Sequence, residues 1–339
     1  MNKKAIITGI AGQDGAFLAK LLIDKGYKVI GADRRRVDSN YERLNDLGIA
    51  QQIEFVYFDL IEDSIIFDII RKEQPDEFYN LAAQSFVKAS FDLPILTANV
   101  DAMGVLRILE AIRIFSPKTK LYQASTSEMF GKVQQIPQTE ETPFYPRSPY
   151  GVAKLFGHWI VKNYRESYGM YACSGILFNH ESEYRGREFV TQKIVEKAVD
   201  IKKGDNTPLV LGNIDAKRDW GYAKDFVEAM FLMLQQKDAD DYVIATNSTT
   251  SVRDFVTLVF NKLNININWK GKGLNEKGVD SNEKVLVEIS EEFYRPAEVD
   301  LLIGDYKKAK EKLGWAPETK LEELTEIMIN HALKRKSLK

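Results

Sequence analysis

Cysteine is almost absent from this chain. Cys173 is the only one among 339 residues, which excludes an intrachain disulfide framework and a cysteine-rich metal site. Its apolar neighbours predict a core position, and no metal is expected. The amino terminus lacks the basic, apolar and small-residue order of a signal peptide, and no run of about twenty apolar residues occurs. A cytoplasmic location and no membrane partner follow as expectations. Neither charge sign dominates: 47 Lys and Arg stand against 49 Asp and Glu, for a net charge of -2. A pI near 6.1 gives no sequence-wide basic excess, so no nucleic-acid partner is expected. No internal repeat is visible.

What the chain does have is enough apolar residue to bury a large core, 44% hydrophobic against 28% charged. One large domain or two merged lobes are expected. The first residues run from the apolar Lys4-Ala-Ile-Ile7 into Gly9, Gly12 and Gly15, and then into Phe17, Leu18, Leu21 and Leu22 at helical spacing. This is strand, turn, helix. Glycines at those points permit a tight turn and a close backbone approach to a pyrophosphate at the helix start. Gly9, Gly12, Gln13, Asp14 and Gly15 are therefore candidate dinucleotide contacts, although a glycine turn can also exist without a ligand.

A second strand, 27–33, ends at Asp33 and is followed by Arg34, Arg35 and Arg36. The acid would suit the ribose hydroxyls of NAD, and the arginines the 2'-phosphate of NADP. Both signals are present, so NADP is expected with NAD as the alternative; the arginines could also form a solvated loop or a subunit contact. Further strands, 53–58, 77–81 and 119–124, alternate with helical segments, the last of them spanning about 97–115. Such alternation predicts a parallel, doubly wound sheet with its functional groups at the carboxyl ends of strands. Asp59 and Leu60 would border the adenine there, and Leu81, Ala82, Ala83 and Ser85 the nicotinamide ribose, though either segment could simply be a strand-to-helix cap.

Tyr150 and Lys154 lie four residues apart, on one helical face, where an ammonium can favour a phenolate. The same spacing often reflects only a packed tyrosine and a solvated lysine. Thr126 and Glu128, just after the strand 119–124, would add a second proton-transfer group beside the first. A simple dehydrogenase has no need of it.

Past Lys154 the pattern changes to short mixed segments, with a lysine-rich stretch at 269–284 expected to be a surface loop. Three polar groups stand out: Asn179-His-Glu-Ser182 with Arg185, Asn213-Ile-Asp-Ala-Lys-Arg-Asp-Trp220, and Arg295-Pro-Ala-Glu298. Their cations suit a diphosphate and their carboxylates suit ribose or sugar hydroxyls, with surface ion pairs as the plainer alternative.

Together the 8–15 turn, Ser125-Thr-Ser-Glu128, Tyr145-Pro-Arg-Ser-Pro-Tyr150, Phe178-Asn-His-Glu-Ser182 and Asn213–Trp220 resemble the GDP-mannose 4,6-dehydratases. These are a branch of the extended short-chain dehydrogenase/reductases. The likeness runs from about residue 4 to about residue 330. It implies an α/β fold: a Rossmann-type doubly wound parallel sheet with a smaller, mixed α/β carboxyl-terminal substrate lobe. Residues 1–178 would form the NAD(P)-binding domain, with later crossings back into it, and 179–339 mainly the GDP-sugar lobe. It implies a hydro-lyase in which NADP takes hydride from C4, water leaves across C5 and C6, and hydride returns to C6. Thr126, Glu128, Tyr150 and Lys154 would be catalytic. His180 and Arg185 would join the cofactor contacts; Ser85, Asn179, Glu181, Lys193, Arg218, Arg295 and Glu298 would hold the GDP-sugar. A homo-oligomer, dimer or tetramer, is implied. Three departures mark the match: Arg36-Val-Asp38 after the paired arginines, Glu183 where relatives commonly carry proline, and Gln192 where they carry arginine. GDP-D-glycero-D-manno-heptose is for that reason kept as an alternative substrate, with a sugar-nucleotide epimerase or reductase and a non-catalytic cofactor sensor as readings from other classes.

Overall fold

The computed structural model describes residues 2–34, 41–293 and 301–337. Arg35, Arg36, Arg295 and Glu298 of the expected site lie outside the described residues.

In chain order the first half runs β1 (Lys4–Thr8), α1 (Gln13–Asp24), β2 (Lys28–Asp33), α2 (Glu42–Asp46), β3 (Ile53–Tyr57), α3 (Asp63–Glu73), β4 (Glu77–Asn80), α4 (Val87–Asp92), α5 (Pro94–Ala98), a π-helical turn (Asn99–Met103), α6 (Gly104–Phe115), β5 (Lys120–Thr126), α7 (Pro149–Tyr168) and β6 (Ala172–Leu177). The second half continues with β7 (Asn179–Glu181), α8 (Val190–Lys202), β8 (Leu209–Leu211), β9 (Lys217–Arg218), β10 (Trp220–Tyr222), α9 (Ala223–Leu234), β11 (Tyr242–Ile244), β12 (Thr250–Ser251), α10 (Val252–Lys262), β13 (Asn268–Lys270), β14 (Lys277–Val279), β15 (Val285–Ile289), α11 (Lys307–Leu313) and α12 (Leu321–Ser337).

The main sheet has the order β11-β6-β5-β4-β1-β2-β3, and every neighbouring pair is parallel. Strands β1, β2 and β6 are largely apolar because both faces are covered. In β1, Ile7 joins a core with Phe17 and Leu18 of α1 and Phe226 and Met230 of α9. Its neighbour Ile6 points the other way, into a core with Ile66 of α3, Ile108 of α6 and Val161 of α7. Burying each such isoleucine contributes about 1.5–3 kcal/mol. The direction of strand addition reverses between β1 and β4. That reversal opens a crevice at the carboxyl ends of the strands, where a ligand can enter.

Two expectations need correction. The helix read as 97–115 starts earlier, at Pro94, whose fixed φ suits a first helical position, and passes through the π turn before α6. The stretch 269–284 is not simply a loop. β13 and β14 pair antiparallel with Trp269 opposite Gly278, and β15 carries the sheet on to β8. Trp269 fixes this hairpin by donating from Nε1 to the Thr257 hydroxyl of α10 at 3.1 Å. The lysines masked a real alternation, Ile265-Asn-Ile-Asn-Trp269.

Candidate active site

The glycine turn is shaped by close approaches. Gly9 has φ +68°, and a Cβ there would sit 3.0 Å from the Ala82 nitrogen; one at Gly15 would meet the Gly9 carbonyl at 2.4 Å. Only glycine fits both positions without displacing backbone. α1 starts directly after Gly12 with no side-chain cap, so its first amides are available to an anion. Thr8 ties the turn to the next strand end. Its Oγ1 accepts from the Leu81 and Ala82 amides at 3.0 Å and donates to Asn80 Oδ1 at 2.7 Å.

Gln13 and Asp14 use their side chains to hold β7 against this turn. Gln13 Nε2 donates to the His180 carbonyl at 2.9 Å and its Oε1 accepts from the Ser182 hydroxyl at 2.7 Å. His180 Nε2 lies 2.9 Å from Asp14 Oδ2, and the ring stacks on Phe226 at 4.7 Å. Burial opposes charge on both partners, but the pairing wins. It holds the Asp14 carboxyl below its ordinary value and His180 above its own.

The pair's stabilisation is therefore complete between the ordinary carboxylate pKa of 3.8 and the ordinary imidazole pKa of 6.5. It fades below that window as Asp14 protonates, and above it as pH rises through the raised pKa of His180. Urea unfolding of the wild type should lose stability as pH climbs past His180's titration, and His180→Gln should abolish that slope. An identical slope in both proteins would contradict the assignment.

At the end of β2 stands Asp33, whose Oδ1 accepts from the Arg34 amide at 2.9 Å. The Arg34 side chain is exposed. Asp59 follows β3 and accepts from the Ile61 amide at 3.3 Å, whereas Leu60 is buried. Ala83 is half-buried and Ser85 exposed on the segment leaving β4.

Thr126, Glu128, Tyr150 and Lys154 come together, all at least nine-tenths buried. β5 runs on to Thr126, so the hydroxyl sits at the strand's carboxyl end, where its Oγ1 accepts from the Glu128 amide at 3.2 Å. The same hydroxyl draws the Tyr150 phenol pKa down. α7 is started by Ser148, whose Oγ accepts from the Gly151 amide at 3.0 Å, followed by Pro149. A Cβ on Gly151 would lie 2.9 Å from the Glu128 carbonyl, so glycine lets the Tyr150 turn approach Glu128. Lys154 Nζ donates to the Ala124 carbonyl at 2.9 Å and sits 5.8 Å from the centre of the Tyr150 ring. Burial, then the charge of Asp101, raise the phenol well above its ordinary value, with Glu128 adding to them and Thr126 and Arg185 opposing. Burial pushes Lys154 below its ordinary value, opposed by Asp101.

A cleft of about 470 Å³ is lined by Asn179, Glu181, Arg185, Lys193, Arg218 and Phe293 among others. β7, α8 and β9 bring these sequence candidates onto one wall. Glu181 accepts from Thr191 and pairs with Arg185 Nε at 3.2 Å. Lys193 lies 3.7 Å from the centre of the Phe293 ring and the Arg185 guanidinium 3.6 Å from that of Phe189. Asp215 and Asp219 are both engaged within the protein. Asp215 pairs with Arg253 at 2.6 Å, and Asp219 accepts from the Thr246 amide at 2.9 Å and the Asn247 amide at 3.0 Å.

Several residues here had no sequence signal. Phe86 and Phe189 meet edge-on at 6.1 Å in the cleft wall. Arg43 reaches the Ala11 carbonyl at 2.7 Å and the Tyr184 carbonyl at 2.9 Å. Asp101 influences both Lys154 and Tyr150 from a segment readable only as helix.

A profile of the family described as GDP-mannose 4,6 dehydratase matches residues 6–328. The chain belongs to that family. It is 49% identical over 352 residues to the GDP-mannose 4,6-dehydratase of Vibrio cholerae, covering 98% of this chain and 95% of that one. To the GDP-mannose 4,6 dehydratase of Dictyostelium discoideum it is 51% identical over 338 residues, covering 97% and 95%. Among solved structures it resembles the UDP-glucose 4-epimerase of Thermotoga maritima with UDP-glucose, at TM-score 0.80 and 25% identity, covering 99% of this chain and 100% of that one. The dTDP-glucose 4,6-dehydratase of Bacillus anthracis in complex with NAD gives TM-score 0.81 at 20% identity, over 99% and 98%; at that identity the likeness is one of fold.

Two of the departures from the family pattern fall beside the cleft wall. Glu183 accepts from the Tyr222 hydroxyl at 3.3 Å, and Gln192 donates to Glu196 at 3.1 Å. Both line a neighbouring hollow of about 280 Å³. Among the described residues, no helix is long and apolar enough to cross a membrane, and no group of His, Cys, Asp and Glu could hold a metal ion. Cys173 is fully buried, which pushes its thiol up to about 12.

Proposed function

We propose that the chain converts GDP-mannose to GDP-4-keto-6-deoxymannose, with Tyr150 and Lys154 serving the C4 oxidation and Glu128 the elimination. The observation that carries this reading is the joint burial of Thr126, Glu128, Tyr150 and Lys154 at the carboxyl edge of the sheet. Arg185 belongs to both halves: its charge acts on Tyr150 and its side chain lines the cleft.

A nicotinamide dinucleotide fits the residues present. The cradle at Gly9 and Gly15 is one that a Cβ would fill, and the uncapped start of α1 suits a pyrophosphate. When bound, the nicotinamide supplies the hydride acceptor for C4 and the donor for C6. Arg34, with Arg35 and Arg36, supports NADP; Asp33 keeps NAD as the alternative. Leu81–Ala83, bonded to Thr8, would border the nicotinamide ribose.

The chain's own residues then divide the proton work. Tyr150 takes the O4 proton, and the Lys154 ammonium offsets the burial that disfavours its phenolate. Thr126 hydrogen-bonds O4. The resulting 4-ketone acidifies the C5 proton, which Glu128 removes and delivers to O6 as water leaves. The proton gained by Tyr150 matches the one later needed at C5, so the cycle consumes no net proton. Asn179, Lys193 and Arg218 in the cleft, with Arg295 and Glu298, would hold the GDP moiety, while Ser85 and Glu181 would face the sugar. This divides the chain into a cofactor domain over 1–178 and a mainly substrate lobe over 179–339. The manno-heptose substrate is the less supported one, since relatives at about half identity bear the mannose enzyme's name.

A homo-oligomer accounts for an apolar stripe on α7. Val152, Phe156 and Trp159 fall on one helical face and are 41–56% exposed, beside Ile95 and Leu96 of α5; a second copy of the chain would bury them.

Incubation with GDP-mannose and no added cofactor should yield a product lighter by one water. An isomer of unchanged mass would indicate an epimerase instead, and an unaltered sugar a sensor. Native mass spectrometry of the same preparation reads the copy number and whether the bound nucleotide carries the 2'-phosphate.

A further inference from the structure

We propose that Arg253 is a positioning residue for the GDP moiety, clamping the wall segment 212–218 with the hairpin 268–279 as its brace. This rests on the assignment of the cleft to a GDP-sugar made above.

The segment needs a clamp because it has little regular structure of its own. It leaves β8, which is joined to β15, and regains a strand partner only at β9, where Lys217 and Arg218 pair with Ser251 and Thr250 of β12. Gly212, Asn213, Ala216 and Arg218 nevertheless line the cleft. Arg253, near the start of α10, holds the stretch between those two anchors. Its amide donates to the Ile214 carbonyl at 2.9 Å, and the Val252 amide to the Ala216 carbonyl at 3.1 Å. Its guanidinium reaches the same stretch from the side, Nη2 donating to Asp215 Oδ1 at 2.6 Å. Asp215 is thereby a tether.

An exposed, freely turning guanidinium would hold such a tether weakly. This one is fixed from behind. Nη1 and Nη2 both donate to Glu276, the latter to Oε2 at 3.1 Å, and a fork of this kind sets the plane of the guanidinium. Glu276 is only 8% exposed. It closes a tight turn of the hairpin, in which Gly271 has φ +85° and a Cβ would lie 2.5 Å from the Asn275 carbonyl oxygen. The Trp269 ring lies against the guanidinium, its centre 5.0 Å away, a favourable cation–π distance. Trp269 Nε1 donates to the Thr257 hydroxyl at 3.1 Å, which in turn donates to the Arg253 carbonyl at 2.9 Å. The hairpin thus grips the head of Arg253 through Glu276 and its backbone through Trp269. Asp215, Arg253, Trp269 and Glu276 all stand outside the cleft lining. They act on a ligand only through the segment they hold.

The test compares Arg253→Gln, Asp215→Ala and the double variant as holoenzymes, by calorimetric titration with GDP and by GDP-mannose turnover. A loosened wall costs binding before chemistry. Arg253→Gln should weaken GDP binding and raise KM for GDP-mannose by about fivefold to tenfold, with kcat at saturation within about twofold. Asp215→Ala should weaken GDP about threefold. The double variant should bind GDP no worse than Arg253→Gln, because both changes cut the same tether. GDP binding by Arg253→Gln within about twofold of wild type overturns the proposal, whatever happens to its melting temperature. Losses that simply add in the double variant overturn it too, as does a fall in kcat with KM unmoved. Should Arg253→Gln fold poorly, with Glu276 left buried and unpaired, Asp215→Ala reads the tether alone, and unchanged GDP binding there overturns the proposal. Failure of the underlying assignment looks different: the wild type would then bind no GDP.

Discussion

Glu128→Gln should release no dehydrated sugar while still purifying with its nucleotide bound. In deuterated water the wild type should place deuterium at C5 of the product, because the elimination passes through removal of that proton. The glutamine variant should lose both outcomes together. Its side chain has the same shape but cannot accept the C5 proton or pass one to O6, a loss of about 10²–10⁴ in rate for a positioned acid–base group. The fold should survive, since what ties this residue to Thr126 is its backbone amide, at 3.2 Å, and the substitution leaves that untouched. Turnover within about tenfold of wild type would remove Glu128 from its role. Lost turnover with deuterium still exchanging at C5 would place the defect at O6 only.

Why this pair of positions could be read from the chain, and others could not, follows from how far apart their partners are. Tyr150 and Lys154 share a helix, and Gly9, Gly12 and Gly15 share a turn, so spacing alone carries the geometry. The parallel sheet was legible for a similar reason: strands buried on both faces must be apolar throughout, as Ile6 and Ile7 are with their separate cores. Contacts between distant segments leave no such trace. The π turn Asn99–Met103 packs on α7 from a helix in which it has no sequence signature. Gln13 and Asp14 sit in the expected turn, yet what their side chains hold is β7, more than 160 positions away. The hairpin at 268–279 was hidden by composition, because lysines on its exposed side outweighed the alternation that pins Trp269 to α10.

Tyr150→Phe should lower kcat by about 10²–10⁴ with little change in KM, because the phenol oxygen acts on the O4 proton only as C4 is oxidised. The variant should remain folded. It keeps the buried ring that fills the start of α7. The decisive comparison supplies the sugar already oxidised at C4. Given that ketone, Tyr150 has no proton left to remove, while Glu128 still faces an acidified C5, so Tyr150→Phe should exchange C5 deuterium at close to the wild-type rate and Glu128→Gln should not. Exchange lost equally in both variants would mean that the phenol also serves the elimination, and the division of labour between the two groups would fall. Exchange lost only in Glu128→Gln would separate the oxidation and the elimination onto two side chains that α7 and the end of β5 hold together.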